Sequence, residues 1–249
     1  MILTYVINLL RATERKEYMA SLLKPYDHLL DVRFIEGVDG KSLSAQQVDE
    51  AFDKELSFQR YGRKLNPGEI GCTLSHYKCY KSLLESQEEY ALILEDDISI
   101  LRDLNVLDEF TSVLKSNKPI VLFLSGDYWY MNKGRLNEQY SKACVYDAVG
   151  TYAYFINKAA CKKILQKIDI PSHVADHWSL YRRMGLSLKA IYPYMVDANI
   201  VNFESNIEQN FFGEVRKNMS FKFRMQAYWV SLNKKILLKM GHFVSKIRK

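Results

Sequence analysis

The run Ala91-Leu92-Ile93-Leu94 contains no polar residue and passes directly into Glu95-Asp96-Asp97. A short, wholly apolar run fits a β-strand covered on both faces, and such strands lie inside sheets layered between helices. Ile120-Val121-Leu122-Phe123-Leu124 repeats the pattern and stops at Ser125-Gly126-Asp127. Residues 2–9 read as a further strand. A helix over 13–23 follows, with Thr13 as its cap and Glu14 against the positive end of its dipole. Residues 32–35 form a second strand, broken by Gly37-Val38-Asp39-Gly40, and a helix covers 44–53. Asn66-Pro67-Gly68-Glu69 turns the chain into a helix over 69–86 that carries Cys72, His76, Cys79 and Leu83 on one stripe. Further on, the pattern predicts a Tyr-rich surface loop over 128–143, strands over 148–156 and 187–192, and helices over 157–167 and 174–184. Strands alternating with helices predict an α/β fold with a mixed, mainly parallel central sheet flanked by helices.

The 249 residues, 48% hydrophobic and 26% charged, can build one large packed domain and exclude disordered or fibrous classes. Cys72, Cys79, Cys144 and Cys161 show neither a CxxC pair nor zinc spacing, so reduced thiols in a cytosolic protein are expected. The apolar start, residues 1–10, is too short to span a bilayer and has no basic segment before it, which predicts neither a signal peptide nor an integral anchor.

Charge is unevenly spread. Ten of the 35 Lys and Arg lie in residues 215–249, which hold no Asp or Glu; the rest of the chain, with 25 basic against 29 acidic residues, is mildly acidic. Met225, Trp229, Leu232, Ile236, Met240, Phe243 and Ile247 recur at helical spacing through that stretch, predicting a basic amphipathic helical tail over 214–249 beside a domain over 1–213. Such a tail either lies on an anionic membrane surface or packs its apolar stripe on the body. No nucleic-acid-binding motif accompanies the charge.

Three carboxylates at the carboxyl end of a buried strand repel one another and lose hydration, which a bound cation would relieve. Ligands of open α/β sheets bind at this edge, and hard oxygen donors suit Mg²⁺ or Mn²⁺ with substrate phosphate. In an extended chain Glu95 and Asp97 share a side and Asp96 takes the other. Asp97 is then the expected metal ligand, with Glu95 beside it, and Glu95 or Asp96 serves ribose or a basic neighbour. An acidic turn is equally a common helix cap or solvated loop.

Taken in order, Val6-Ile7-Asn8-Leu9 with Arg11 and Arg15, Gly37-Val38-Asp39-Gly40, Gly68-Glu69-Ile70-Gly71-Cys72-Thr73-Leu74-Ser75-His76 and the acidic motif resemble glycosyltransferase family 25. A looser match continues through Gly150-Thr151-Tyr152-Ala153-Tyr154, Val174-Ala175-Asp176-His177-Trp178 and Glu204-Ser205-Asn206-Ile207. The resemblance implies a GT-A-type, Rossmann-like fold and an inverting transfer of galactose from UDP-galactose, with Mn²⁺ or Mg²⁺ at the acidic motif. The implied acceptor is a terminal sugar of a lipid-linked oligosaccharide, as in lipooligosaccharide or lipopolysaccharide. UDP-glucose or a UDP-N-acetylhexosamine is the alternative donor, and a non-catalytic nucleotide-sugar-binding scaffold is the alternative role. The implied place is the cytoplasmic face of the inner membrane of a Gram-negative bacterium, with the tail on its anionic surface.

Residue roles follow. Asp176 is the expected catalytic base, or else a helix cap; Glu204 is second choice. Asn8, Arg11, Asp39, Ser75, His76, Glu95 and Asp96 are expected at the donor, although Ser75 and His76 equally suit structural hydrogen bonds and Arg11 and Arg15 a solvated helix face. Tyr152 and Tyr154 line either the acceptor groove or the core. His173 and His177 complete the metal shell or pack.

Overall fold

The computed structural model describes residues 1–198 and 215–245. In chain order these form β1 (Ile2–Asn8), α1 (Thr13–Leu23), β2 (Leu30–Glu36), α2 (Ala45–Ala51), α3 (Lys54–Tyr61), α4 (Pro67–Glu85), β3 (Tyr90–Glu95) and β4 (Ile98–Ile100). There follow α5 (Asp108–Thr111), β5 (Ile120–Phe123), β6 (Asp127–Arg135), β7 (Ser141–Val149), β8 (Ala153–Asn157), α6 (Lys158–Lys167) and α7 (Trp178–Arg183). The last are β9 (Ser187–Tyr192), β10 (Val196–Ala198), α8 (Phe221–Lys239) and β11 (Phe243–Val244). Nine strands make one mixed sheet in the order β11-β6-β7-β9-β5-β8-β3-β1-β2, and β10 pairs with β4 in a small second sheet.

The apolar run at 91–94 sits where its composition requires. Its strand, β3, runs parallel to β1 on one side and antiparallel to β8 on the other. Ala91 and Ile93 pack with Tyr77, Tyr80 and Leu83 of α4 and Cys161 and Ile164 of α6. Leu92 and Leu94 join Met19 and Leu23 of α1, and Leu104 and Phe110, on the opposite face. Residues of alternating direction each find an apolar layer, so no polar face is needed.

Several expectations need correction. Residues 128–143 are not a loop: they belong to the long hairpin of β6 and β7, whose register shifts near Tyr130 and Asn132. Those irregularities scramble the two-residue alternation by which a strand is recognised. The expected strand over 148–156 divides into the end of β7 and β8, separated by Gly150 at φ +90°. Parallel pairing joins β1 to β2, β1 to β3 and β5 to β9, while β8 enters antiparallel between β3 and β5. The helix over 44–53 stops earlier, at Ala51; Phe52 is extended and buried, and Asp53 caps α3 by accepting from the Leu56 amide. Thr13 is the first residue of α1 and caps nothing, because Ala12 holds the cap position. The helix expected over 174–184 shortens to α7.

The two glycine-bearing motifs meet. A Cβ on Gly40 would lie 1.8 Å from the Pro67 carbonyl oxygen, and one on Gly71 would lie 2.4 Å from that of Val38. The loop after β2 thus presses backbone to backbone on the first turn of α4, a contact open only to glycine. Ser75 locks it, its hydroxyl accepting from the Val38 amide at 2.8 Å and donating to the Gly71 carbonyl at 2.7 Å. Gly40→Ala and Gly71→Ala are each expected to destabilise the protein by about 1–3 kcal/mol through overpacking, read as a lower urea midpoint. An unchanged midpoint would contradict this packing.

Candidate active site

Chain direction puts the carboxyl ends of β1, β2 and β3 side by side, with Asn8, Asp39 and Glu95 to Asp97 at or just past those ends. Past Glu95 the chain leaves extended conformation and turns at 96–97, which changes the expected alternation. Asp96 and Asp97 both face Arg15, whose Nη1 donates to Asp96 Oδ1 at 2.9 Å and to Asp97 Oδ2 at 3.1 Å. Asn8 Nδ2 donates to the remaining Asp96 oxygen at 2.7 Å and to the Ala12 carbonyl at 3.0 Å. Asp96 and Asn8 are therefore buried anchors of the turn, each spending polar atoms inside the protein. Arg15 is a clamp across two carboxylates rather than part of a solvated face.

Glu95 goes elsewhere. It accepts from the Thr151 hydroxyl, and its backbone amide donates to the Tyr152 carbonyl at 3.0 Å. His76 Nε2 lies 3.7 Å from Glu95 Oε1, buried and without a hydrogen-bond partner, while Nδ1 pairs with the Tyr154 hydroxyl at 2.7 Å. His76 is buried beside Glu95. Ser75 is committed to the backbone. Tyr154 is not acceptor-lining: it is fully buried, its hydroxyl within 3.0 Å of that of Tyr80, its ring edge-on to Trp178. Tyr152 precedes β8 and packs into the opposite core layer, so the two tyrosines do not share a face. Arg11 and Asp39 follow β1 and β2 and form an ion pair at this edge; Asp39 also accepts from the Lys41 amide and the Ser42 hydroxyl.

Asp176, just before α7, lies electrostatically within reach of Glu95. Its Oδ2 accepts from the Gly150 amide at 3.1 Å, so it does not cap α7, whose cap position belongs to His177. Part of its surface opens to a cavity of about 600 Å³. Dense surrounding protein nonetheless pushes its carboxyl above the usual range, chiefly by desolvation. Tyr61, Asp147, Arg183 and the inner side of α8 also wall this cavity. His177 Nδ1 pairs with the Tyr61 hydroxyl at 2.7 Å and His173 Nε2 with that of Tyr181 at 2.8 Å, which gives each imidazole a packing role. Desolvation pushes both imidazoles down, His173 to about 3. Glu204 lies outside the described residues.

The acidic turn fits a hard divalent cation. Asp97 Oδ1 is buried with no hydrogen-bond partner among the described residues, and its carboxyl is pushed up to about 6 by desolvation and by Glu95, with Arg15 opposing. One guanidinium cannot balance three neighbouring carboxylates. Among the described residues the ligand atoms that lie within 4.8 Å of one another are those of Cys72, His76 and Glu95, a group that includes neither Asp96 nor Asp97. Burial and the charges of Glu95 and Asp176 push the Cys72 thiol well up, so it holds its proton and is the poorer choice for a hard ion. Sequence reading gave no site role to Cys72, Gly150 or Thr151, since no charge marks them; only their places in the Gly68–His76 and Gly150–Tyr154 motifs pointed to them.

The described residues thus place an acidic turn at the carboxyl edge of an α/β sheet and two further carboxylates, Asp147 and Asp176, on the wall of a cavity. Residues 1–178 match glycosyltransferase family 25 (LPS biosynthesis protein), and the chain belongs to that family. It is 38% identical over 97 residues to procollagen galactosyltransferase 1 of Danio rerio, which is 38% of this chain and 16% of that protein. To a glycosyltransferase 25 family member of Anopheles gambiae it is 41% identical over 101 residues, again 38% of this chain and 16% of the relative. The chain thus spans less than a fifth of the length of either. Among solved structures, a galactosyltransferase in complex with donor and acceptor sugar analogs overlays with a TM-score of 0.37 at 11% identity, over 75% of this chain and 73% of that one.

The raised Asp97 carboxyl fixes a sign. A group whose folded value exceeds its unfolded value of 3.8 favours the fold when protonated. That contribution, up to about 3 kcal/mol, is full below about pH 4 and lost as pH rises through about 6. In metal-free protein Asp97→Asn is expected to raise stability at pH 7 and to flatten the slope of urea-unfolding free energy between pH 4 and 7. An unaltered slope would show that Asp97 is not the strained carboxylate.

Proposed function

We propose that this chain is an inverting hexosyltransferase that moves galactose from UDP-galactose onto a terminal sugar of a lipid-linked oligosaccharide, lipooligosaccharide or lipopolysaccharide. The observation that carries the reading is the unpartnered, buried Asp97 Oδ1 in a cluster of carboxylates that outnumber their cationic partner. Galactose is favoured by the galactosyltransferase named among the relatives, and the acceptor class by the family's description as LPS biosynthesis proteins.

Asp97, with Glu95 beside it, would hold Mn²⁺ or Mg²⁺, which supplies a Lewis acid against the charge growing on the departing diphosphate. Arg15 and Asn8 keep the turn from relaxing before the donor arrives, since they hold both oxygens of Asp96. Arg11 and Asp39 stand at the same edge, where uracil or ribose would lie. Asp176 takes the proton of the attacking hydroxyl: its raised carboxyl is a stronger base than an exposed one, and it opens to the cavity. The acceptor's terminal sugar occupies that cavity, where Asp147, Arg183 and Gln226 offer polar groups to its hydroxyls.

A screen of UDP-sugars for metal-dependent UDP release, with and without truncated lipooligosaccharide, tests the assignment. UDP-galactose is expected to turn over only with the divalent ion. Asp97→Asn should abolish turnover, and Asp176→Asn should lower kcat by about 10²–10⁴-fold while UDP binding persists. Binding of UDP without turnover of any UDP-sugar would favour a scaffold and overturn the reading. Filling the cavity with Ala227→Trp is expected to raise the acceptor KM about tenfold, since the lost contacts are worth roughly 1.4 kcal/mol or more, and to leave acceptor-independent donor hydrolysis unchanged.

A further inference from the structure

Helix α8 faces the protein with its wrong side. Phe223, Ala227, Val230, Lys234 and Leu238 turn toward the cavity and the body. Phe223 is buried under the Arg60 guanidinium, 4.5 Å from its ring centre, and Lys234 reaches Asp147 at 3.0 Å. The Ser220 amide donates to the Gln59 carbonyl, and β11 pairs with β6, which fixes both ends of the helix to the body. Phe221, Met225, Tyr228, Leu232 and Ile236, spaced by four and three, occupy the opposite side. There Phe221 is 69% exposed, Tyr228 and Trp229 55% each, and Met240 60%. A helix packed on a soluble body normally turns its charges to water and its apolar stripe inward; here the apolar and aromatic stripe is outward.

The charges around that stripe select its partner. Lys222, Arg224, Lys235 and Lys239 are exposed along the same helix, and residues 215–249 contain ten basic and no acidic side chains. A second copy of this chain would bring two such segments together and repel. An anionic lipid surface meets both features, with apolar and aromatic side chains entering the acyl boundary and lysines on the headgroups. No helix among the described residues is long and apolar enough to cross a membrane, so the contact lies in the plane of the interface.

We propose that the outer face of α8 is a docking surface for an anionic phospholipid bilayer, entered by Phe221, Trp229 and Ile236 and ringed by Lys222, Arg224 and Lys239. The inner face of the same helix walls the cavity beside Asp176, so docking would bring the cavity close to the bilayer. The assignment stands without the transferase reading, and its test uses no nucleotide or sugar.

The full chain is mixed with vesicles of phosphatidylcholine alone or with phosphatidylglycerol, and co-sedimentation is measured at low and high salt. Binding is expected only with phosphatidylglycerol, weakening as salt rises. Each basic residue near such a surface is worth about fivefold in partitioning, so Lys222→Ala, Arg224→Ala and Lys239→Ala together should weaken binding roughly a hundredfold. The pair Trp229→Ser and Ile236→Ser should abolish it with an unchanged circular-dichroism spectrum. If that pair fails to fold, wild-type protein decides: brominated phosphatidylcholine in the anionic vesicles should quench tryptophan emission, and Trp229→Phe should remove most of the quenching. Equal binding to both vesicles, or no binding to either, overturns the proposal. So does concentration-dependent dimerisation in sedimentation velocity that Trp229→Ser and Ile236→Ser abolish, which would assign the face to a second copy.

Discussion

One guanidinium holds the functional edge together. Arg15, on the first turns of α1, is the cation bonded to both Asp96 and Asp97, and it reaches them because β1 and β3 are parallel neighbours that end together. Without it, two carboxylates at the end of a strand whose core residues are buried on both faces would face each other across low-dielectric protein, an arrangement that costs several kcal/mol per uncompensated charge. The clamp is incomplete. Asp97 keeps one oxygen without a partner, and its raised carboxyl records the imbalance. The fold stabilises the geometry and leaves the charge unfinished, which is the feature the proposed cation would answer.

The second organising element is three residues long. Gly150 donates its amide to Asp176 and accepts at its carbonyl from the Trp178 indole at 2.9 Å; Thr151 and Tyr152 then bond Glu95 through hydroxyl and carbonyl. Carboxylates that come from different elements and lie far apart in sequence are thus tied through one turn between β7 and β8. Its φ of +90° lies in the left-handed region, and a Cβ would strike the Tyr152 ring, so glycine is required at the junction between Glu95 and Asp176.

What sequence revealed and concealed divides along physical lines. The buried strands, α1, α4 and the acidic turn were legible, because an apolar run of strand length and a 3.6-residue stripe each have few alternatives. The β6–β7 hairpin was not, since its bulges break alternation and much of β6 is exposed. Within the site, carboxylates announced themselves but their division of labour did not. Alternation grouped Glu95 with Asp97, whereas the turn grouped Asp96 with Asp97 on Arg15 and sent Glu95 toward Thr151 and His76. Ser75, His76 and Tyr154 carry groups that could serve substrate or core equally, and only burial decides. Burial ties Ser75, His76 and Tyr154 into internal hydrogen bonds, as it ties Asn8 to Asp96.

The C-terminal helix shows why composition alone could not place the tail. Two readings competed, an apolar stripe packed on the body or one turned toward lipid, and a single amphipathic stripe would satisfy either. The helix has two contact faces instead. Its inner face is mixed, with Phe223 against Arg60 and Lys234 shared between Asp147 and the Trp129 ring, 3.6 Å from its centre. Those polar contacts replace part of the hydrophobic burial by which a surface helix is normally held, and they leave the outward apolar side chains uncommitted. A helix held by charge pairing on one side keeps its hydrophobic residues for another surface. The same element that walls the cavity is therefore the one with apolar area left over.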